Sequence, residues 1–159
     1  MLKIYDLKDK QEYIEEVATL TQREWGKRNL SECEFVNKVL KKIEKIKELF
    51  NDKYYCKLVL LNNNELIGFI SIFPQDGDER KDLTPWYATM YVKEEHRGKG
   101  YSKILNNAIL KEARKRNIEK LYLKTELENY YEKFGAKYLE NLNEKEKLYF
   151  FDLNNLINS

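Results

Sequence analysis

Two glycines separated by one residue stand where a strand-like segment passes into a helical one. Residues 97–102 read Arg-Gly-Lys-Gly-Tyr-Ser, after the apolar run 86–92 and before a helical pattern over residues 102–116. Glycine lets a backbone approach a ligand closely, and the unpaired amides and dipole of a helix N-terminus favour an anion. The spacing therefore predicts a pyrophosphate site. The alternative is an ordinary turn followed by a helix start.

The spacing excludes two common nucleotide-binding loops. A Walker-type loop requires Gly-x-x-x-x-Gly-Lys-Ser/Thr, whereas Lys99 precedes the last glycine of this turn. A dinucleotide-binding turn requires Gly-x-Gly-x-x-Gly, and its third glycine would fall at Lys103. The surrounding elements must therefore identify the fold.

Length and charge limit the class of protein. A chain of 159 residues is of single-domain size, and its 35% charged residues nearly cancel to a net charge of +2. This balance disfavours a basic nucleic-acid-binding module and gives no reason to expect a membrane surface as partner. No apolar stretch approaches the roughly 20 residues that span a bilayer. We therefore expect a cytoplasmic, single-domain protein.

The cysteine and histidine content gives no metal site. Cys33 and Cys56 form no Cys-x-x-Cys pair, and His96 is the single histidine. We expect both cysteines to be reduced packing residues and the site to contain no metal.

Strand and helix patterns alternate along the chain in a definite order. A short strand precedes two amphipathic helices, and the second of these begins with a capping box formed by Ser31 and Glu34. We expect the apolar residues of the three main helices to face the core, among them Leu40 and Ile104, with Trp25 as a further candidate. The predicted elements are strands 2–5, 54–61, 66–73, 86–92, 121–125, 136–142 and 147–153, and helices 9–25, 31–50, 102–116 and 129–134.

The glycine segment resembles motif A of the GNAT superfamily of N-acetyltransferases, Arg/Gln-x-x-Gly-x-Gly/Ala. Arg97 and Gly100 match it, and the small residue Ser102 takes the last position. A second resemblance follows downstream, because residues 130–136 are similar to the family's Tyr-Glu-Lys-x-Gly-Phe signature. The resemblance implies a single-domain α/β (α+β) fold with a central mixed, mostly antiparallel, twisted sheet of about seven strands and about four flanking helices.

The resemblance also implies an activity. It predicts an acetyl-CoA-dependent transfer of an acetyl group to the primary amine of a small molecule or peptide, by direct attack in a ternary complex. The fold also admits a homodimer. The alternative is a non-catalytic acyl-CoA-binding sensor or regulator of the same fold. The predicted cofactor-binding residues are Met90, Tyr91 and Val92, through backbone groups beside the pantetheine arm, and Arg97, Gly98, Lys99, Gly100, Tyr101, Ser102 and Lys103 around the pyrophosphate.

Catalytic roles follow from the same resemblance. Tyr131 matches the tyrosine whose hydroxyl protonates the departing CoA sulfur, with Tyr130 as its rival. No carboxylate stands at the strand positions that often hold the general base in the family, which leaves Asp82 as a candidate base and Glu79 and Glu126 as further loop candidates. A water chain or an already neutral amine would make a base unnecessary.

The loop before the central strand is acidic. It contains Asp76, Asp78, Glu79 and Asp82, a cluster that would attract a cationic amine, and the alternative is a solvated turn offset by Arg80 and Lys81. The adjoining Leu-Thr-Pro-Trp segment ending at Trp86 resembles an element of one bacterial subgroup of the family. The predicted acceptor-binding residues are Glu79, Asp82 and Trp86.

Overall fold

The computed structural model describes residues 1–156, and these build one seven-stranded sheet. The strand order is β1-β2-β3-β4-β5-β7-β6, and neighbours are antiparallel except for the parallel pair β4 and β5. This is the mixed, mostly antiparallel sheet that the family resemblance implies. The strands are β1 Leu2–Asp6, β2 Cys56–Asn62, β3 Glu65–Phe73, β4 Trp86–Val92, β5 Lys120–Thr125, β6 Lys137–Asn141 and β7 Lys147–Asp152.

Helices cover both faces of the sheet. The α-helices are α1 Ile14–Trp25, α2 Glu32–Leu49, α3 Tyr101–Lys115 and the short α4 Leu153–Leu156, and single 3₁₀ turns lie at Leu7–Asp9, Gln11–Tyr13, Glu94–His96 and Tyr131–Phe134. Among the described residues, none of these helices is long and apolar enough to cross a bilayer.

Strand β2 shows why the sheet needs cover on both sides. Residues 56–61 are buried without interruption, the pattern of a strand packed on both faces. Leu58 and Leu60 pack with α3, whereas Val59 and Leu61 pack with α1 and α2. The β2–β3 hairpin turns at Asn63, whose φ of 56° is in the left-handed region that asparagine tolerates.

Three predicted core positions on the helices are wrong. Leu40, Ile104 and Trp25 are 53%, 39% and 49% exposed, respectively. On α2 the sheet-facing residues are Val39 and Ile46, seven positions apart, and on α3 Leu105 faces inward. Because adjacent helix residues differ by about 100° in direction, the residue beside a buried one turns toward solvent.

The first helix also begins later than predicted. Asp6 accepts a hydrogen bond from the Lys8 amide and caps a 3₁₀ turn, and Lys10, at φ −138° and ψ 53°, interrupts helical geometry. Two short turns therefore precede α1. The first residues of the predicted short helix 129–134 are also non-helical, because Asn129 has a φ of 58°.

Candidate active site

The two long helices α2 and α3 have contrasting N-termini. Ser31 and Glu34 cap α2 reciprocally, as the sequence predicts. Helix α3 has no side-chain cap, and no acidic residue lies in its first turn. Its first amides are therefore left to bind an external acceptor, and the helix dipole favours an anion there.

The glycine turn before α3 leaves open space in front of these amides. Gly98 and Gly100 have φ values of 78° and 82°, where a side chain would be strained. A Cβ placed on either glycine would meet no heavy atom within 4 Å. The turn thus combines a backbone conformation suited to glycine with room for a ligand against the amides.

The side chain of Arg97 folds back against β4. Its Nε donates a hydrogen bond to the Val92 carbonyl oxygen at 2.8 Å, and its guanidinium carbon lies 5.5 Å from the centre of the Tyr91 ring. These contacts hold the chain in place at the end of β4. Lys99 and Lys103 are exposed beside the turn, and their positive charges are less constrained than that of Arg97.

Strand β4 contains a bulge and separates from its parallel neighbour. Between the pairs Phe69–Tyr91 and Ser71–Ala88, β4 has one residue more than β3, and Thr89 in this bulge has a φ of 52°. Strands β4 and β5 pair at a single register position, Trp86 with Tyr122. Beyond it the two strands line opposite walls of a cleft.

Two clefts meet at the bulge, and both are lined by Met90 and Glu24. The glycine-turn cleft, of about 350 Å³, is lined on its remaining sides by Tyr130 and by residues of β4 and the turn. The acidic cleft, of about 670 Å³, lies between β4 and β5 and includes Tyr131. Of the predicted cofactor residues, the glycine-turn cleft includes Met90, Tyr91, Val92, Arg97, Gly98, Gly100, Tyr101 and Ser102, but not Lys99 or Lys103.

The adjacent tyrosines Tyr130 and Tyr131 point into different clefts. Their rings lie edge to face with centroids 4.8 Å apart, and the Tyr131 ring packs edge to face against Tyr87 at 5.7 Å. The Tyr87 hydroxyl donates to Asn106 Oδ1 at 2.8 Å, which fixes the ring that supports Tyr131. Burial raises the pKa of Tyr131 to about 12, so its hydroxyl stays protonated at neutral pH.

The structure places the predicted acceptor residues outside the acidic cleft. Arg80 donates two hydrogen bonds to the exposed Asp82 and thereby lowers its pKa, which makes that carboxylate a weak base. Glu79 accepts from Asn143 at 2.7 Å and lies 3.7 Å from Lys124 Nζ. Trp86 is 1% exposed, and its indole N–H donates to the Leu83 carbonyl oxygen. Its side chain therefore belongs to the core.

Other acidic residues line the cleft instead. They are Glu24 from α1, Asp76 from the predicted acidic loop, Glu126 from the segment after β5 and Glu146 from the β6–β7 connection. Lys124 on β5 is the cationic residue among them, 3.9 Å from Asp76. Of these four carboxylates, sequence reasoning named Asp76 and Glu126 in the search for acidic groups. It missed Glu24 and Glu146, because their proximity depends on contacts between distant segments.

One cluster of metal-ligand type lies beside the glycine-turn cleft. Ligand atoms of Glu65, Glu95 and His96 lie within 4.8 Å of one another, and His96 Nε2 is 3.2 Å from Glu65 Oε2. Both carboxylates are exposed, and such clusters are common on protein surfaces without an ion.

Comparisons with known proteins agree with this geometry. Residues 14–136 match the model of the acetyltransferase (GNAT) family. No curated protein matches the chain by sequence. The matched residues run from the start of α1 to Ala136, and they include every lining residue of the two clefts except Glu146.

Solved structures share the fold over nearly the whole chain. Spermidine N-acetyltransferase from Vibrio cholerae, in a dodecameric structure, has a TM-score of 0.73 at 18% identity, covering 99% of this chain and 96% of the other. Aminoglycoside 6'-acetyltransferase type Ii has a TM-score of 0.66 at 20% identity, covering 96% and 97%. An aminoglycoside 6'-N-acetyltransferase complexed with coenzyme A has a TM-score of 0.67 at 17% identity, again covering 96% and 97%. With its family model matched over most of its length, the chain belongs to the GNAT acetyltransferase family and is an acyltransferase.

Proposed function

We propose that the chain transfers an acetyl group from acetyl-CoA to the primary amine of a cationic small molecule or peptide. The observation that carries this proposal is the meeting of the two clefts at Met90. An anion site at the end of one cleft adjoins an acidic wall in the other. A donor with a pyrophosphate and an acceptor with a positive charge would therefore meet beside the bulge of β4.

The glycine turn holds the donor in this proposal. Amides of residues 98–103 bind the pyrophosphate oxygens, and Lys99 and Lys103 add positive charge from outside. Backbone groups of Met90, Tyr91 and Val92 pair with the pantetheine arm as a further strand would, in the space that the separation of β4 and β5 leaves. Acetyl-CoA supplies the activated acyl group.

Tyr131 acts as the general acid. Its position in the acidic cleft beside Met90 and its raised pKa support this role, because the leaving thiolate needs a proton from a group that is protonated at neutral pH. The rival Tyr130 lines the glycine-turn cleft and supports donor binding.

The acidic cleft recruits the acceptor. Four carboxylates against the single ammonium of Lys124 create a negative potential that attracts a cation, and Trp25 and Leu127 add apolar surface to the rim. The similar structures described as spermidine and aminoglycoside acetyltransferases support an amine acceptor. A homodimer stays a prediction.

The test is an acceptor panel. Purified protein is incubated with acetyl-CoA and, separately, spermidine, putrescine, butylamine and a lysine-containing peptide, and thiol release is followed. We expect amine-dependent release that saturates with acceptor and is fastest with the cationic polyamines. Tight acetyl-CoA binding without turnover on any amine would instead support the acyl-CoA-binding sensor.

A further inference from the structure

Acetyl transfer to an ammonium ion requires that a proton be removed before the nitrogen can attack. This inference rests on the proposed acetyl transfer and concerns the group that accepts this proton. We propose that the carboxylate of Asp76 is the general base. It lines the acidic cleft together with Tyr131, Ala88, Thr89 and Met90, so the base, the general acid and the β4 bulge surround the same space.

The other acidic residues of the region are less suited to this role. Arg80 binds Asp82 through two hydrogen bonds, and Asn143 donates to both Glu79 and Glu146. Each of these carboxylates already has a hydrogen-bond donor within the protein.

Glu24 and Glu126 also line the acidic cleft, but both residues are exposed. Water therefore competes with the acceptor for their oxygens. Asp76 is half-buried, and its ionic partner Lys124 Nζ lies 3.9 Å away, beyond the range of a hydrogen bond. Its oxygens are therefore available to the acceptor.

The surroundings of Asp76 move its proton affinity in the direction that base catalysis requires. Burial raises the pKa of Asp76, the positive charge of Lys124 on β5 lowers it, and the negative charges of Glu146 and of Glu79 raise it again. The raised pKa brings the carboxylate closer to neutral pH, where a general base is more effective. The positive charge of Lys124 opposes this shift and favours the ionised form that accepts the proton.

Asp76 and Tyr131 each move a proton during the proposed reaction. Asp76 takes one proton from the acceptor ammonium, and the free electron pair of the nitrogen forms a C–N bond with the thioester carbonyl carbon. The C–S bond then breaks, and its electron pair leaves with the sulfur, which takes the Tyr131 proton. The phenolate of Tyr131 recovers a proton from the acylated nitrogen, and Asp76 releases its proton to solvent. The products are the amide, CoA thiol and one proton.

The experiment compares Asp76→Asn with the wild type across pH, using the amine of the panel that gives the highest kcat/KM. At pH 7 we expect kcat to fall by roughly 10²- to 10⁴-fold, the typical contribution of a general base. The difference in kcat between the variant and the wild type should decrease as the pH rises toward the pKa of the amine, because an amine that is already neutral needs no base. Acetyl-CoA affinity, measured by calorimetry, should stay within about twofold.

A second variant and a matched control separate base catalysis from a structural effect. Lys124→Met should move the acid limb of the kcat/KM profile to higher pH, since Lys124 lowers the pKa of Asp76. Asp78→Asn makes the same change in the same loop at a residue that pairs with Lys81 in solvent, and it should leave activity near that of the wild type.

Three results would overturn the assignment of Asp76. They are an Asp76→Asn enzyme with wild-type kcat, a loss that is equal at every pH, and an increase in KM alone. A wild-type protein inactive on every amine would overturn the proposed function itself, and the role of Asp76 with it.

Discussion

The hydroxyl groups of Ser71 on β3 and Thr89 on β4 lie 2.7 Å apart, at the bulge that turns β4 away from β5. Ser71 is fully buried, whereas Thr89 reaches the acidic cleft. A β-branched residue in the left-handed region costs about 1–2 kcal/mol. The hydrogen bond offsets part of this cost and holds the bulge at the meeting point of the two clefts.

The Ser71–Thr89 hydrogen bond leads to a stability prediction. Ser71→Ala should lower the free energy of unfolding by about 1 kcal/mol, because it removes one buried hydrogen bond while Thr89 can still reach water. Urea unfolding monitored by circular dichroism measures this change. Thr19→Ala, at a hydroxyl that bonds to Glu15 on an exposed helix face, is the control and should change stability by less. Equal effects of the two variants would mean that the bulge does not depend on Ser71.

Removing the Tyr131 hydroxyl tests the general acid. Tyr131→Phe keeps the ring against Tyr87 and removes the proton donor, so kcat should fall by roughly 10²- to 10⁴-fold with little change in acetyl-CoA affinity. Because the raised pKa keeps the phenol protonated, the wild type should not lose kcat through Tyr131 until the pH approaches 12. Single-turnover rates of the wild type and of Tyr131→Phe measure this change in the chemical step.

Two further tyrosine variants sharpen this test. Tyr138→Phe, at an exposed hydroxyl that donates to Asn141 on the edge strand β6, should behave as the wild type. Tyr130→Phe should change kcat less than Tyr131→Phe does. The assignment fails if Tyr130→Phe has the larger effect on the chemical step.

A side chain at Gly100 should prevent donor binding. Gly100→Val places carbon in the open space before α3 and forces a β-branched residue to a φ of 82°. We expect a loss of CoA affinity of at least about tenfold in a protein that still folds, because this Cβ meets no protein atom. Calorimetry for CoA and thermal unfolding should be measured on the same sample. Unchanged affinity in a folded variant would exclude the glycine turn as the pyrophosphate site.

The predictable parts of this fold are those that depend on local spacing. The Ser31 capping box and the helix after the glycine turn each depend on a few neighbouring residues, and each occurs as predicted, with the helix beginning one residue earlier. The mixed, mostly antiparallel sheet was expected from family resemblance rather than from periodicity. The errors at Leu40 and Ile104 arise where two adjacent apolar residues compete for one buried helix face.

The acceptor-binding residues were harder to predict. Their burial and their hydrogen-bond and ionic partners depend on segments that are distant in sequence. Asp76 and Asp82 are both loop carboxylates, and their different surroundings depend on Lys124 from β5 and on Arg80 within the loop. Trp86 stands at the start of β4, where sequence does not indicate that its ring packs against Tyr122 in the core. Glu146 reaches the cleft only because β7 pairs with β5.

Buried Lys57 on β2 predicts a pH-dependent stability. This residue is 2% exposed, its Nζ lies 5.3 Å and 5.4 Å from the ring centres of Phe69 and Phe73, and burial, aided by the nearby positive charge of Lys42, lowers its pKa to about 7. The folded pKa is below the unfolded value, so the unfolded chain binds more protons at pH values between the two. The free energy of unfolding should therefore rise between about pH 7 and pH 10, by up to ~1.4 kcal/mol per pH unit.

Replacing Lys57 with an apolar residue tests this pH dependence. Lys57→Met keeps the length of the side chain and should raise stability at pH 7 by about 1–3 kcal/mol while flattening the pH dependence. Urea unfolding at pH 6, 7.5 and 9 measures both effects. Lys41→Met, at an exposed position of α2, should change neither. A destabilised Lys57→Met protein would mean that the buried ammonium is stabilised by its aromatic neighbours.

The central claim is that the glycine-turn cleft presents an acyl donor to an amine held in the acidic cleft. The most direct measurement is a mass-spectrometric count of product amide against CoA thiol, with wild-type protein, acetyl-CoA and the best amine of the panel. The account predicts one acetylated amine for each thiol released, with neither product formed by Gly100→Val. Thiol release without amide, or acetylation that persists in a folded Gly100→Val protein, would contradict it.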